Sequence, residues 1–175
     1  MTIITPPISS AIDAKAFWKT LGERATGMTV VTADSDEGPA GFLGLSASHV
    51  AADPATMLVS IDRKTSALAR VLSRRHFAVN FLPADAAKVA DAFGGKAGLS
   101  GAARFIEGEW TKLVTGAPIF KRALGAFDCA VADVIERGNV SIIIGTVVGA
   151  TARGEGEPLV YFRGRTYTAL GGAAG

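Results

Sequence analysis

The chain has 175 residues, 49% of them apolar and 19% charged, with a formal net charge of +2. That length predicts one domain burying roughly 70% of its unfolded surface, and the composition excludes a disordered chain. So small a net charge excludes a basic nucleic-acid-binding module, and one cysteine, Cys129, excludes an intrachain disulfide and suits a reducing cytosol.

Taken in order, the ends are expected to be loose: residues 1–12, with Pro6 and Pro7, form a flexible segment, and 171–175 a tail of small residues. Residues 13–170 then make the single domain. Asp13 can cap a helix whose Ala14, Phe17, Trp18, Leu21 and Ala25 share one face, leaving Lys15, Lys19 and Glu23 outside, with Gly27 as its end. Val- and Thr-rich residues 28–33 predict a strand, 34–38 a turn, and 40–45 a second strand. Further strands are expected over 57–61, 76–82, 124–136, 140–151 and 159–163, with helices over 66–72 and 85–93. A glycine-rich loop covers 94–101. Many short strands and few helices predict a mostly β, antiparallel barrel with peripheral helices, a closure that limits exposed edges.

No basic segment followed by an apolar stretch marks a signal peptide. The longest apolar run, 140–150, is about half of the roughly 20 residues that span a bilayer. A soluble, cytoplasmic protein without membrane or nucleic-acid partners is expected.

Several stretches carry possible chemistry. Ser60-Ile-Asp-Arg-Lys-Thr-Ser66 places Arg63, Lys64 and hydroxyls where a strand meets a helix, which suits an anion. Gly41-Phe-Leu-Gly-Leu-Ser-Ala-Ser-His49 offers backbone N–H groups and hydroxyls without full charge. The glycines of 94–101 fit neither the P-loop nor the dinucleotide fingerprint. His49 and Asp53 lie near Ser46, yet no nucleophile elbow surrounds them. Cys129 alternates with Phe127 and Val131 and reads as a buried small hydrophobe. Two histidines and one cysteine give no recognisable metal site.

These stretches, with Gly27-Met-Thr-Val-Val-Thr-Ala33, Phe77-Ala-Val-Asn-Phe81, Arg104-Phe105 before Trp110, and Pro158-Leu-Val-Tyr-Phe-Arg-Gly-Arg-Thr-Tyr167, occur in an order that resembles the flavin reductase family. The resemblance runs from about residue 16 to 170. It implies a flavin-binding split barrel, a homodimer, and hydride transfer from NADH or NADPH to FMN or FAD. Reduced flavin would then serve a partner monooxygenase. It further implies that the Gly44 and Leu45 backbone follows the flavin ring, that Ser46, Asp62, Arg63, Ser66 and Arg104 bind the flavin, and that Val140, Tyr161 and Arg163 face the nicotinamide or acceptor. No acid–base residue is required.

The chain departs from the family pattern twice. Leu43, Gly44 and Leu45 stand where Thr, Ala and Asn or Ser are usual. Asn139 and Val140 replace an Asp-His pair, so a group able to donate a proton is lost. Small residues at 44 and 140 would leave room for a bulky acceptor, as in the related corrin reductase, which reduces the corrinoid cob(II)yrinic acid diamide. A flavin- or haem-binding module without turnover is the remaining alternative.

Overall fold

The computed structural model describes residues 12–171, so the loose ends expected at 1–12 and 171–175 lie outside the described residues apart from Ile12 and Gly171. Helix α1 (Ala14–Leu21) begins as expected: the Asp13 carboxylate accepts from the Ala16 N–H at 2.7 Å. It stops at Gly22 rather than Gly27, because Thr26–Gly27 is recruited as strand β1. Its apolar side meets no core. Phe17 and Trp18 are 47% and 66% exposed and pack edge-on against each other.

The strands then follow as β2 (Thr29–Ala33), β3 (Ala40–Leu43), β4 (Ser48–Ala52) and β5 (Ala55–Asp62). Helix α2 (Ala67–Arg74), β6 (His76–Phe81) and α3 (Ala87–Phe93) come next, then a 3-10 turn over Gly101–Arg104. Short strands β7 (Trp110–Thr111) and β8 (Ile119–Phe120) lead into the long hairpin β9 (Gly125–Arg137) and β10 (Val140–Ala152). Strands β11 (Val160–Phe162) and β12 (Arg165–Tyr167) close the chain and join β1 in a small sheet.

The main sheet is antiparallel and seven-stranded, ordered β3-β2-β6-β9-β10-β5-β4. Its two edge strands are consecutive in the chain, separated only by residues 44–47. Five Cα steps reach at most ~19 Å, whereas six interstrand spacings of a flat sheet would span ~29 Å. The sheet therefore curls until its edges approach, which is the split barrel.

Curling gives the sheet an inside. Val31, Val59, Ile61, Phe77, Val79, Cys129 and Ile143, drawn from β2, β5, β6, β9 and β10, form one buried cluster, and α2 seals it with Leu68 and Val71. Neighbouring residues on β2 point the other way: Val30, with Met28, packs against Val89 and Phe93 of α3 and against Phe120. Strand β2 is thus covered on both faces, and its five residues are all buried. At Gly145 a Cβ would lie 2.6 Å from the Phe77 ring, and the register shifts beside it, so the hairpin bends over the core there. No helix among the described residues is long and apolar enough to cross a membrane.

Candidate functional site

The richest polar cluster forms where β5 ends. The Asp62 backbone oxygen accepts from the Thr65 N–H at 2.8 Å, and its carboxylate accepts from the Lys64 N–H at 2.9 Å. These bonds fold residues 62–65 into a tight turn ahead of α2. The β9–β10 hairpin tip clasps that turn. Asn139 accepts from the Arg63 N–H at 2.9 Å through its backbone oxygen and donates its side-chain amide to Asp62 at 2.8 Å.

Register explains the rest. Val140 lies opposite both Asp62 and Arg137, and Ser141 opposite Glu136. The Arg63 guanidinium donates from Nε (3.1 Å) and Nη2 to one oxygen of Glu136. The Ser141 hydroxyl, 1% exposed, donates to the same carboxylate at 3.0 Å. Arg63 first, then Ser141, holds the Glu136 carboxyl below the usual carboxylate range. Ser66 caps α2 without a side-chain capping bond, leaving its hydroxyl available. Asp62, Arg63, Ser66 and Val140 are therefore brought together, with Glu136, Asn139 and Ser141 added by the hairpin.

The crossing segment 44–47 is tied to both sides of the curl. The Gly44 N–H donates to the Thr29 oxygen at 2.8 Å, and the Thr29 hydroxyl donates to the Gly44 oxygen at 2.6 Å. Ser46 donates its hydroxyl to the Ser60 oxygen at 3.0 Å and accepts from the Ser60 N–H at 3.2 Å. That bond pair staples the segment to β5 two residues before Asp62. It also separates Ser46 from any hydrolytic set with His49 and Asp53. Leu45 packs its side chain against the α3-side cluster.

Gly44 corrects the expectation of extra room. A Cβ there would lie 2.5 Å from Cγ2 of Val31, so the space of the missing side chain is already filled by the core. Only Val140 remains as a small replacement at the site.

Three other expected residues sit elsewhere. Arg104 donates to the backbone oxygens of Leu99 and Gly41, both at 2.9 Å, and so fastens the 3-10 turn to β3. It lines a cavity of about 390 Å³ over Trp110 and Phe120, whose walls include none of Asp62, Arg63 and Ser66. Tyr161 pairs with Thr26 in the small sheet and packs on the α3-side cluster. Arg163 stands at the β11–β12 turn over the Phe162 ring and pairs with Glu23, bracing the end of α1.

Glu136 and Ser141 are absent from the sequence-based expectation, and Ser60, which opens the 60–66 stretch, contributes its backbone to Ser46. A signal existed for the first two: Gly138-Asn139 between apolar runs is a two-residue hairpin turn, and its register sets residue 136 opposite 141.

Comparison with known proteins bears on what this arrangement does. The flavin reductase like domain matches residues 21–170. The chain is 35% identical over 144 residues to an FMN reductase (NADH) RutF of Bradyrhizobium diazoefficiens, covering 82% of this chain and 78% of that one. Among solved structures, BorF, the flavin reductase component of a bacterial two-component tryptophan halogenase, superposes with a TM-score of 0.81 at 28% identity. The match covers 89% of this chain and 97% of BorF. The NADH:FAD oxidoreductase SgcE6 of Streptomyces globisporus C-1027, solved with NAD and FAD fragments, gives 0.82 at 25% identity over 95% of this chain and all of that one.

Proposed function

The chain belongs to the flavin reductase family, and from that premise we propose that it passes hydride from NADH to FMN and releases the reduced flavin to a separate monooxygenase. The observation that carries the reading is the family match along residues 21–170 together with the Asp62–Ser66 turn at the mouth of the split barrel. The donor set there fits a flavin phosphate: an arginine, a lysine, and the uncapped Ser66 hydroxyl at the start of α2. FMN is the flavin in the names of the curated relatives, and FAD that of the SgcE6 structure. Both are therefore substrates to test.

The flavin supplies the ring whose N5 accepts hydride from nicotinamide C4. What the protein adds is position. The Gly44–Ser46 backbone, held by Thr29 and Ser60, offers a rigid rim for the ring, and Arg63 with Ser66 fixes the phosphate end. Val140 presents an aliphatic side chain that neither gives nor takes a proton. Proximity and orientation suffice for such a transfer, since no proton need move at a side chain. A homodimer accompanies this reading, and light scattering that shows a monomer would count against it.

The test is anaerobic NADH oxidation with FMN, with FAD and with neither. Multiple turnovers with free flavin are expected. Bleaching of tightly bound flavin alone would mean a retained cofactor and a different acceptor, such as a corrinoid. No oxidation under any condition would overturn the enzymatic reading.

A further inference from the structure

The turn that suits a phosphate also holds its own competitor. Arg63, Lys64 and, at the hairpin tip, Arg137 bring positive charge, and Asp62 and Glu136 set two negative charges among them. The two acids do different work. Both Asp62 oxygens accept bonds that shape the turn, one from Lys64 and one from Asn139. Glu136 shapes no backbone. Its carboxylate meets the Arg63 guanidinium, which is the group a phosphate would use, and accepts from Nε and Nη2.

Nor is Glu136 a loose surface acid that drifted onto a nearby cation. The buried Ser141 hydroxyl, directly across the hairpin, donates to it at 3.0 and 3.1 Å and sets its position. The arginine is fixed from its backbone side by the bond of its N–H to Asn139. The hairpin tip therefore holds the arginine's backbone and supplies the acid that pairs with its side chain.

We infer that Glu136 is a positioning residue that competes with the flavin phosphate for Arg63 and so keeps FMN exchangeable. The inference rests on the reading of Arg63 as a phosphate ligand. When FMN arrives, its phosphate takes the outer edge of the guanidinium while Glu136 keeps or yields the inner one. Each arrangement leaves an acid close to a dianion. When reduced FMN leaves, Glu136 recaptures the arginine, so departure never strands an unpaired guanidinium. A reductase that hands its flavin to a second protein needs such weak holding; one that retains its flavin does not.

The size of the effect follows from Coulomb's law. A unit charge removed from ~6 Å of a dianion in a water-like dielectric corresponds to about tenfold in affinity, cut to about threefold by physiological salt. Glu136→Gln keeps a hydrogen-bond acceptor for Arg63 and removes only the charge.

The experiment measures the dissociation constants of FMN and riboflavin for the wild type and for Glu136→Gln, Glu136→Asp and Arg63→Ala, in 20 and 500 mM salt. Circular dichroism verifies folding, and stopped flow gives the FMN off-rate. Glu136→Gln is expected to tighten FMN about three- to tenfold in low salt and to slow its release, with the gain shrinking in 500 mM salt. Riboflavin, which lacks the phosphate, should be unaffected, and Glu136→Asp should resemble the wild type. If Glu136→Gln weakens FMN or leaves it unchanged while Arg63→Ala weakens it, the competitor role is overturned and the phosphate site stands. If Arg63→Ala leaves FMN affinity intact, the phosphate site itself falls, and the inference with it. Should Glu136→Gln not fold, Ser141→Ala gives a second route. Releasing the acid from its holder should move FMN affinity the same way, and weaker FMN binding by that folded variant would refute the role.

Discussion

Gly44→Ala is the smallest change that interrogates the rim of the site. The added Cβ would stand 2.5 Å from Cγ2 of Val31 and 3.4 Å from its Cβ. Carbon atoms in contact prefer ~3.5–4.0 Å, so about 1 Å must be found. Val31 cannot easily supply it. It is fully buried on a strand whose five residues are all buried, and its branched side chain has few rotamers. Overpacking of this kind costs ~1–3 kcal/mol. For a chain this long that corresponds to a fall in Tm of ~2–12 °C.

Relief is also available from the loop. Lifting residues 44–47 away from Val31 would strain the paired Thr29–Gly44 bonds and the Ser46–Ser60 staple. Gly44→Ala should then weaken FMN as well as stability. Urea unfolding reads the first effect, with the midpoint lowered and m unchanged, and FMN titration reads the second. Removing the obstacle should restore part of both. Val31→Ala alone costs ~2–3 kcal/mol by cavity formation, but with Gly44→Ala the double variant should be more stable than the sum by ~1–2 kcal/mol. A Gly44→Ala protein as stable as the wild type, with no coupling to Val31, would refute the packing argument. The room above the flavin would then be real.

Three further outcomes test other parts of the molecule. Burial lowers the pKa of His76 below 6.5, and its buried Nε2 has no hydrogen-bond partner. Below pH 6.5 the unfolded chain therefore takes a proton that the folded one resists, and stability should fall as pH drops from 7 toward the folded pKa. His76→Gln should flatten that slope in urea midpoints taken at pH 7.5 and 5.5, and an unchanged slope would exclude His76. The Cys129 thiol is pushed up to about 12 by burial and then by Asp128, so it should resist a thiol reagent at pH 8 until urea unfolds the chain; rapid labelling of native protein would contradict its placement. Asn139→Asp would replace a donor to Asp62 with a like charge, so it should loosen the turn and weaken FMN more at low salt than at high salt. Equal affinity at both salts would mean that the hairpin tip does not organise the turn.

How far the sequence alone reaches depends on what each element owes to its neighbours. Strands β2, β5, β6, β9 and β10 are legible because β-branched and aromatic residues fill them and one or both faces are buried in the curl. Strand β4 is not: its residues are largely exposed, and it exists because β5 lends it hydrogen bonds at the sheet edge. Strands β1 and β12 are two and three residues long and form only by pairing with β11, which also shortens α1 relative to its periodic pattern. That pattern shows which side of α1 is apolar and cannot say what lies against it. Phe17 and Trp18 remain exposed although the spacing points them inward.

The site divides along the same line. Asp62, Arg63 and Ser66 are near in sequence and meet because one turn holds them, so their proximity is legible from spacing. Arg104 and Arg163 lie apart from that turn, bonded to carbonyls in one case and to Glu23 in the other, as Arg63 is to Glu136. Which partner a cation in a motif finds within the fold is a question of register. Hairpin arithmetic from Gly138-Asn139 brings Ser141 to Glu136, but only the pairing of β5 with β10 brings Arg63 within reach of both. Glu136 is therefore 73 residues from Arg63 in sequence and one strand away in space. The Arg63–Glu136 pair becomes visible only when the sheet is assembled.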